Sequence, residues 1–212
     1  MRFEKKKILR IISFFERMSL KTAKVLILNA AFQFAHSGGK LNTSLAEEAK
    51  KYLESKGHEV KITHMQEGYK PEEEADKILW SDVVILQTPG WWMGLPWGAK
   101  KYIDECFAHG KMYESDGRTR KDPTKKYGTG GLCHGKHIMI SSTWNAPENS
   151  FNDADNFFEG RRAEGVWFNV YKAFEFCGFA KLPPVTFHDV MKVPDYPRYV
   201  NELHAHLDKV FQ

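Results

Sequence analysis

The chain has 212 residues, 42% of them hydrophobic and 14% aromatic, which is enough apolar material for the core of one domain. Its net charge is +4 at pH 7, and its 31 basic and 27 acidic residues are spread along the whole chain. No basic stripe with interleaved aromatics is evident, so nucleic acid is not an expected partner. The three cysteines are far apart and form no C-x-x-C pair, which argues against a disulfide framework or a zinc site and favours the cytoplasm.

The first 20 residues form an extension that differs from the rest of the chain. Residues 1–7 are mostly basic and residues 8–15 mostly apolar, but Arg10 interrupts the apolar stretch and no small-residue cleavage site follows. The segment is too short and too charged to span a bilayer. It is either a basic amphipathic helix that contacts a surface or translated leader ahead of a true start at Met18, which we favour. We therefore expect residues 1–20 to be a disordered extension or a mis-assigned start, and residues 21–212 to form one domain.

From Lys24 onward, apolar segments of strand length alternate with segments of helical length. Strands are predicted at residues 25–28, 60–63, 82–88, 138–142 and 185–187, and helices at residues 41–55, from residue 71, and at residues 96–108, 167–177 and 198–211. Residues 25–28 are apolar at every position, as expected for a strand whose two faces are both covered. Five strands with intervening helices and right-handed crossovers predict an α/β fold with a doubly wound, five-stranded parallel sheet in the order 2-1-3-4-5.

A tryptophan-rich loop follows the third predicted strand and reads Pro89-Gly90-Trp91-Trp92-Met93-Gly94-Leu95-Pro96-Trp97. Loops of this kind lie at the carboxyl edge of a parallel sheet, where such folds bind their ligands. Gly90 and Gly94 allow a ligand to approach the backbone, and Trp91 and Trp92 provide flat apolar faces. The pattern favours a planar heterocycle such as a flavin, and the alternative is a Trp-rich core turn or a protein interface.

The loop after the first predicted strand has the features of an anion site. It enters the next helix through Ser37, Gly38, Gly39, Lys40, Leu41, Asn42, Thr43 and Ser44. A helix N-terminus offers free N–H groups and the positive end of the dipole, and the hydroxyl and amide side chains add donors. The sequence matches neither Walker A nor G-x-G-x-x-G, so an ordinary capped helix start remains the alternative to phosphate binding.

Five motifs together resemble one protein family. They are Phe34-Ala35-His36-Ser37, Pro89-Gly90-Trp91-Trp92-Met93-Gly94, Ser115-Asp116-Gly117-Arg118-Thr119-Arg120-Lys121-Asp122-Pro123, Lys126-Tyr127-Gly128 and Thr143-Trp144-Asn145-Ala146-Pro147. Through them the chain resembles, from about Lys24 to its C-terminus, the modulator of drug activity B group of NAD(P)H-dependent quinone reductases. The resemblance implies a flavodoxin-like fold, and it leaves the first 20 residues without a counterpart.

The resemblance implies FAD as the cofactor and assigns its binding residues. They are Ser37, Gly38, Gly39, Lys40, Leu41, Asn42, Thr43 and Ser44; Gly90, Trp91, Trp92 and Met93; Tyr127; and Thr143, Trp144, Asn145 and Ala146. It also implies an NAD(P)H dehydrogenase (quinone) that uses NADPH or NADH and reduces a quinone by two electrons in a ping-pong cycle. We expect the backbone N–H groups of residues 90–93 and 145–146 to lie near the ring, and Trp91, Trp92 and Trp144 to provide stacking surface.

The flavin chemistry needs neither a covalent nucleophile nor a metal, so no catalytic side chain is predicted and Cys106 is expected in the core. The better-known mammalian-type relatives place a Tyr and a His beside the flavin after the fourth strand. This chain has Pro147-Glu148-Asn149-Ser150-Phe151 there, so that pair is not carried over.

Relatives cover the exposed face of the flavin with a second subunit, so we expect a homodimer in which residues 111–131 cross between subunits. The basic residues Arg118, Arg120 and Lys121 of that insert are either solvated, or bind a partner subunit or a cofactor phosphate. An alternative function also remains, because some proteins of this fold are flavin-binding ancillary regulatory subunits of potassium-efflux systems. No stable membrane insertion is expected in either case.

Overall fold

The computed structural model describes residues 22–211, so the predictions for residues 1–20 lie outside the described part of the chain. The strands are β1 (Lys24–Asn29), β2 (Glu59–His64), β3 (Val83–Pro89), β4 (His137–Thr143), β5 (Ala180–Lys181) and β6 (Val185–Phe187). The helices are α1 (Lys40–Ser55), α2 (Pro71–Trp80), α3 (Trp97–Phe107), α4 (Asn149–Asn152), α5 (Arg162–Val166), α6 (Phe168–Phe176) and α7 (Tyr196–Val210), and a short 3-10 helix (Met65–Glu67) follows β2.

The strands form one parallel sheet in the order β2-β1-β3-β4-β5, which confirms the predicted order. β1 lies between β2 and β3, with Ile27 opposite both Ile62 and Ile85. β3 is buried at every position and β1 at every position but its first, because helices cover both faces of the sheet.

The edge next to β4 differs from the prediction of a single fifth strand at residues 185–187. Two short segments, β5 and β6, both run parallel to β4, with Ala180 opposite His137 and Val185 opposite Ser141. Pro183 and Pro184 separate them and have no backbone N–H to donate to a ladder. Proline therefore divides the edge, and six strands occupy five positions.

The core consists of two apolar layers because alternate residues of a strand face opposite sides of the sheet. In one layer Ile27 packs with Leu45 of α1 and Leu203 of α7. In the other, Leu28 belongs to a cluster that includes Tyr102 of α3 and residues of α2 and α6. This arrangement leaves the carboxyl ends of the strands, and the loops that follow them, as the place where polar and aromatic side chains meet.

The predicted insert of residues 111–131 lies between α3 and β4. A bridge between Tyr113 and Gly131 closes its base, and the Gly128 N–H donates to the Asp116 carbonyl at 2.7 Å. Because α3 ends and β4 begins at the amino edge of the sheet, the insert is rooted at the edge opposite the carboxyl-end loops. Within residues 22–211, no helix combines the length and hydrophobicity that crossing a membrane requires.

Candidate functional site

Two four-residue turns lie side by side at the carboxyl edge of the sheet. Residues 34–37 form the turn after β1 and residues 91–94 the turn after β3, and two backbone hydrogen bonds of 2.9 and 3.0 Å close each of them. The rings of Phe34 and Trp91 are 5.6 Å apart, so the two turns contact each other. The sheet order therefore brings the two loops singled out in the sequence into one place.

Helix α1 begins just after the first turn with an open N-terminus. Its cap residue, Gly39, has φ 68° and provides no side chain, and the Thr43 N–H donates to the Gly39 carbonyl at 3.1 Å. The amides of Lys40, Leu41 and Asn42 donate to no acceptor in the described part of the chain. Three aligned N–H groups at the positive end of a helix dipole are suited to phosphate oxygens.

A buried hydrogen-bond network fixes α1 to the sheet. Asn42 Nδ2 donates to Thr143 Oγ1 at 2.9 Å, and Gln87 Nε2 donates to Asn42 Oδ1 at 2.8 Å. Asn29 Nδ2 donates to Thr43 Oγ1 at 3.1 Å. The expectation that the Asn42 side chain donates to a ligand is therefore wrong for this structure, since the side chain is buried and joins α1 to β3 and β4. Asn42 retains its backbone N–H for a ligand.

The second turn has an unfavourable backbone conformation. Trp92 has φ 47° and Met93 has φ 62°, so both central residues occupy the left-handed region of a type I′ turn, where Asn and Gly are usual. Each such residue costs on the order of 1 kcal/mol. The Trp92 side chain is 96% exposed, so burial does not offset this cost within the subunit. Strain and exposure of this kind are typical of a binding surface.

The amides of this loop divide into two groups. The Gly90 N–H donates to the Thr143 carbonyl at 2.9 Å, and the Trp91 N–H to the Gly94 carbonyl at 2.9 Å, so the expectation that these two amides bind the ring is wrong. Those of Trp92 and Met93 donate to no acceptor among the described residues. Only the second half of the predicted segment therefore offers donors to a ligand.

Trp144 faces the core and not the site. Its ring is 4% exposed, its Nε1 donates to Ser142 Oγ at 3.1 Å, and the Trp167 ring lies 5.4 Å away. A Cβ on Gly90 would be 2.4 Å from the Trp144 ring. Gly90 is therefore needed for the packing of Trp144, and the expectation that this ring provides stacking surface is wrong.

The next two residues complete a set of donors. Asn145 is exposed and Ala146 half-buried, and their N–H groups have no acceptor within residues 22–211. β3 and β4 are paired as far as Pro89 and Thr143, the last residues of the two strands. The segment 145–146 and the turn that contains Trp92 and Met93 therefore follow neighbouring strand ends. Donors from two loops beside an exposed tryptophan, together with the open end of α1, fit the edges, face and phosphate of a flavin.

Tyr127 lies apart from the other predicted site residues. Its exposed ring is 5.5 Å from Phe176, the last residue of α6, and the Arg118 guanidinium is 5.5 Å from its centroid. Helix α6 ends at the amino edge of the sheet, since β5 begins four residues later beside the start of β4. A strand of seven residues spans about 23 Å, so Tyr127 does not meet the carboxyl-end loops of its own subunit.

Two cavities border the segment between β4 and α6, and neither is predicted in the sequence analysis above. One of about 550 Å³ is lined by Glu148, His188 and Arg198 among others, and burial lowers the pKa of His188, whose Nδ1 has no partner among the described residues. The second, of about 400 Å³, includes Met93 and Phe157. The signal for the second was the pair Phe157-Phe158 in an otherwise polar stretch.

The remaining reactive side chains are structural. All three cysteines are free and buried, and burial raises the pKa of the Cys106 and Cys177 thiols to about 12. The prediction that Cys106 is a core residue is confirmed. Within the described chain, no group of three His, Cys, Asp or Glu residues is arranged to hold a metal ion.

Comparison with known proteins agrees with this geometry. Residues 23–210 match the family described by its flavodoxin-like fold. The chain is 46% identical, over 189 residues, to the NADPH:quinone oxidoreductase MdaB of Haemophilus influenzae, covering 88% of this chain and 98% of that protein. The chain therefore belongs to the flavodoxin-like family and, within it, to the modulator of drug activity B group. An uncharacterised protein of Schizosaccharomyces pombe is also 46% identical, over 190 residues that cover 89% of this chain and 97% of that one.

Solved structures show the same fold at lower identity. A Klebsiella pneumoniae protein solved as a candidate quinone reductase superposes with a TM-score of 0.70 at 23% identity, covering 90% of this chain and 85% of that one. General stress protein 14 of Treponema denticola, solved with FMN, has a TM-score of 0.63 at 16% identity, covering 90% and 97% of the two chains. The flavodoxin-like fold of this family member is thus shared by proteins of widely different sequence.

Proposed function

We propose that the chain is a flavin-dependent NAD(P)H:quinone oxidoreductase that transfers two electrons in a ping-pong cycle. The observation that carries this proposal is the convergence of the open α1 N-terminus with four unpaired amides, those of Trp92, Met93, Asn145 and Ala146. The 46% identity to the Haemophilus influenzae NADPH:quinone oxidoreductase supports the same activity and makes NADPH the first co-substrate to test, before NADH.

The chain's own residues position the reaction and do not perform it. When bound, a flavin supplies the hydride acceptor for NAD(P)H and the two-electron donor for a quinone. The amides of Lys40 and Leu41 would bind its phosphate, and those of Met93 and Asn145 would donate to the ring where negative charge develops on reduction. The exposed Trp92 side chain would cover the ring and exclude water. Nicotinamide and quinone then occupy the same space in turn.

We propose FAD as the flavin, on the resemblance stated above, although the Treponema denticola protein of this fold binds FMN. We keep the predicted binding residues as assigned, with four changes: the Asn42 side chain is structural, the Gly90 and Trp91 amides are occupied, and the Trp144 ring is buried. The cytoplasmic location is proposed as well, and the three free, buried cysteines support it.

A homodimer accounts for the position of Tyr127. The aromatic side chains Phe34, Trp92 and Trp97 are all exposed at the carboxyl edge, which leaves an apolar surface for a partner. Tyr127 and the insert are rooted at the opposite edge of their own subunit, so they serve the flavin site of the partner subunit. Sedimentation at micromolar concentration is expected to give twice the mass of the chain, and a monomer with full activity contradicts the dimer.

The proposed function is tested on the purified full chain by its spectrum and its turnover. Yellow protein that releases FAD on acid treatment, and NADPH oxidation with benzoquinone at about 10 per second or faster, are expected. Initial-rate plots at several quinone concentrations are expected to give parallel lines. Colourless protein contradicts the flavin site, release of FMN corrects the cofactor, and flavin without turnover favours the regulatory-subunit alternative.

A further inference from the structure

An apolar groove borders the second turn at the carboxyl edge. We define the aromatic groove by Met93, Phe157, Phe158 and Val166, which line most of a cavity of about 400 Å³. Its only charged lining residues are Glu159 and Arg161, which pair with each other at 2.9 Å and are both largely exposed. A polar ligand therefore finds few unused donors there, whereas a hydrocarbon chain finds three apolar side chains and one polarisable thioether.

Ring contacts and a backbone hydrogen bond hold the residues that line the aromatic groove. The Phe158 ring stacks on Phe151 at 4.2 Å, and the Phe158 N–H donates to the Ser150 carbonyl at 2.9 Å. Phe157 packs edge-on against Phe158 at 5.0 Å and is 66% exposed. The chain then turns sharply, with Glu159 and Arg162 in the left-handed region. Phe157 thus lies outside the core, in contact with Phe158 and otherwise largely exposed.

The groove is continuous with the proposed flavin site through one residue. The Met93 N–H has no acceptor among the described residues and is assigned to the proposed ring site, and Met93 also lines the groove, so the groove adjoins the proposed ring site. A ligand that reaches from one to the other has a flat polar head and an apolar tail. NAD(P)H does not fit that description, since its continuation beyond the nicotinamide carries phosphates and hydroxyls.

We infer that the aromatic groove binds the hydrocarbon side chain of an alkyl- or prenyl-substituted quinone whose ring lies at the flavin site. This inference rests on the proposed function and specifies the substrate class within it. Phe157 is then a residue that determines specificity: it contacts the chain of the substrate and not the reacting ring. Quinones that differ only in the length of that chain are expected to differ in kcat/KM.

The test compares two benzoquinones with the same ring, one with a methyl and one with a decyl substituent. The full-length enzyme is expected to prefer the decyl compound in kcat/KM, and Phe157→Ala to lower this preference about tenfold, as loss of one or two methylene contacts does. Phe157→Leu retains an apolar side chain and is expected to restore most of the preference. Phe168→Ala is the matched control, because Phe168 is similarly exposed at 59% but lies outside the groove.

Two results overturn the inference: a wild-type enzyme without a chain-length preference, or a Phe157→Ala variant that slows both quinones equally. Binding of the decyl and methyl compounds, followed by quenching of tryptophan fluorescence, separates this inference from the proposed function. Decyl-selective binding that is lost in Phe157→Ala, in protein without NADPH turnover, contradicts the oxidoreductase and keeps the groove. NADPH turnover without decyl-selective binding supports the oxidoreductase and contradicts the groove.

Discussion

The turns after β1 and β3 have the same length and the same hydrogen-bond closure, but they differ in backbone conformation and in side-chain chemistry. Each consists of four residues closed by two hydrogen bonds, and each is followed by two further residues and a helix. The helix ends differ, because the Phe32 ring packs against Gly98 at the start of α3, where a Cβ would be 2.4 Å from it. Among the described residues no ring packs against Gly39, the cap residue of α1. One turn therefore leads to the open helix end that we propose as an anion site, and the other leads to a helix end packed against an aromatic ring.

This comparison shows that the fold supplies the position of a site and the side chains decide its chemistry. Both helix N-termini lie at the carboxyl edge of the same sheet, so both direct the positive end of a helix dipole there. At α1 the amides of Lys40, Leu41 and Asn42 have no acceptor among the described residues, whereas at α3 the Ala99 N–H donates to the Pro96 carbonyl at 2.9 Å. The Phe32 ring distinguishes the packed end of α3 from the open end of α1, which we propose as the phosphate site. Three sets of substitutions test this division of roles.

The largest effect is expected from Gly90→Ala in the second loop. The new Cβ would lie 2.4 Å from the buried Trp144 ring, so the free energy of unfolding is expected to fall by about 2 kcal/mol. Displacement of Trp144 also moves the segment that follows it, and flavin content is expected to fall. Urea denaturation of flavin-free protein and the absorbance ratio of the purified variant measure the two effects.

Gly94→Ala is the matched control for Gly90→Ala. Gly94 closes the same turn, but an added Cβ meets nothing within 4 Å. Its free energy of unfolding is expected to stay within about 0.5 kcal/mol of the parent, as at other uncrowded surface positions. Equal losses in the two variants refute the packing role assigned to Gly90.

The second prediction concerns the network that holds the open end of α1. Asn42→Leu leaves the buried Gln87 amide unpaired and is expected to cost about 1.5 kcal/mol of unfolding free energy. Gln87→Leu has the same kind of cost, but the double variant removes both partners and is expected to cost about 1 kcal/mol less than the sum. Additive losses in this cycle contradict the hydrogen bond as the source of the effect.

The smallest changes, and the only gains in stability, are expected from substitutions at the left-handed positions of the two turns, first from Trp92→Asn with Met93→Gly. These residues suit the two left-handed positions of a type I′ turn, and exposed Trp92 loses no burial, so unfolding free energy is expected to rise by about 1 kcal/mol. Flavin retention is expected to fall, since the aromatic cover is gone. In the first turn only Ala35 has a positive φ, and Ala35→Asn is expected to gain about half as much. An unchanged free energy of unfolding in both variants would contradict backbone strain at these turn positions.

Much of the fold follows from local patterns in the sequence. The apolar run at residues 25–28 predicts a strand covered on both faces, and the buried β1 confirms it. Pro71 marks the start of α2 because proline suits the first helical turn. β5 has only two residues and no alternation, so no periodic signal reveals it. The position of β5 depends on its pairing with β4 and on Pro183 and Pro184, which follow it. The pairing is a tertiary contact that the local sequence does not show.

The sequence predicts the candidate site less completely than the fold. Strand order predicts which loops lie together, but it does not predict the orientation of each side chain. The loops at Ser37 and Gly90 do lie together, as parallel strands require. Nothing local shows that Trp144 turns inward, because that depends on the distant Trp167 and on the missing Cβ of Gly90. Tyr127 shows the same limit: the motif assigns it to the cofactor, and only the structure shows that it lies at the other edge of its subunit.

The division of the sheet edge at Pro183 and Pro184 bears on how the protein behaves in concentrated solution. An open sheet presents unpaired N–H and C=O groups at its outer strands, which can recruit a strand from another molecule. Here one outer edge offers segments of two and three residues interrupted by two imino acids, and the other, β2, presents exposed Glu59 and Lys61. Both edges are poor templates for intermolecular strand pairing. Self-association at high concentration is therefore expected to begin at the exposed aromatic residues of the carboxyl edge, and a flavin-saturated sample is expected to remain clear longest.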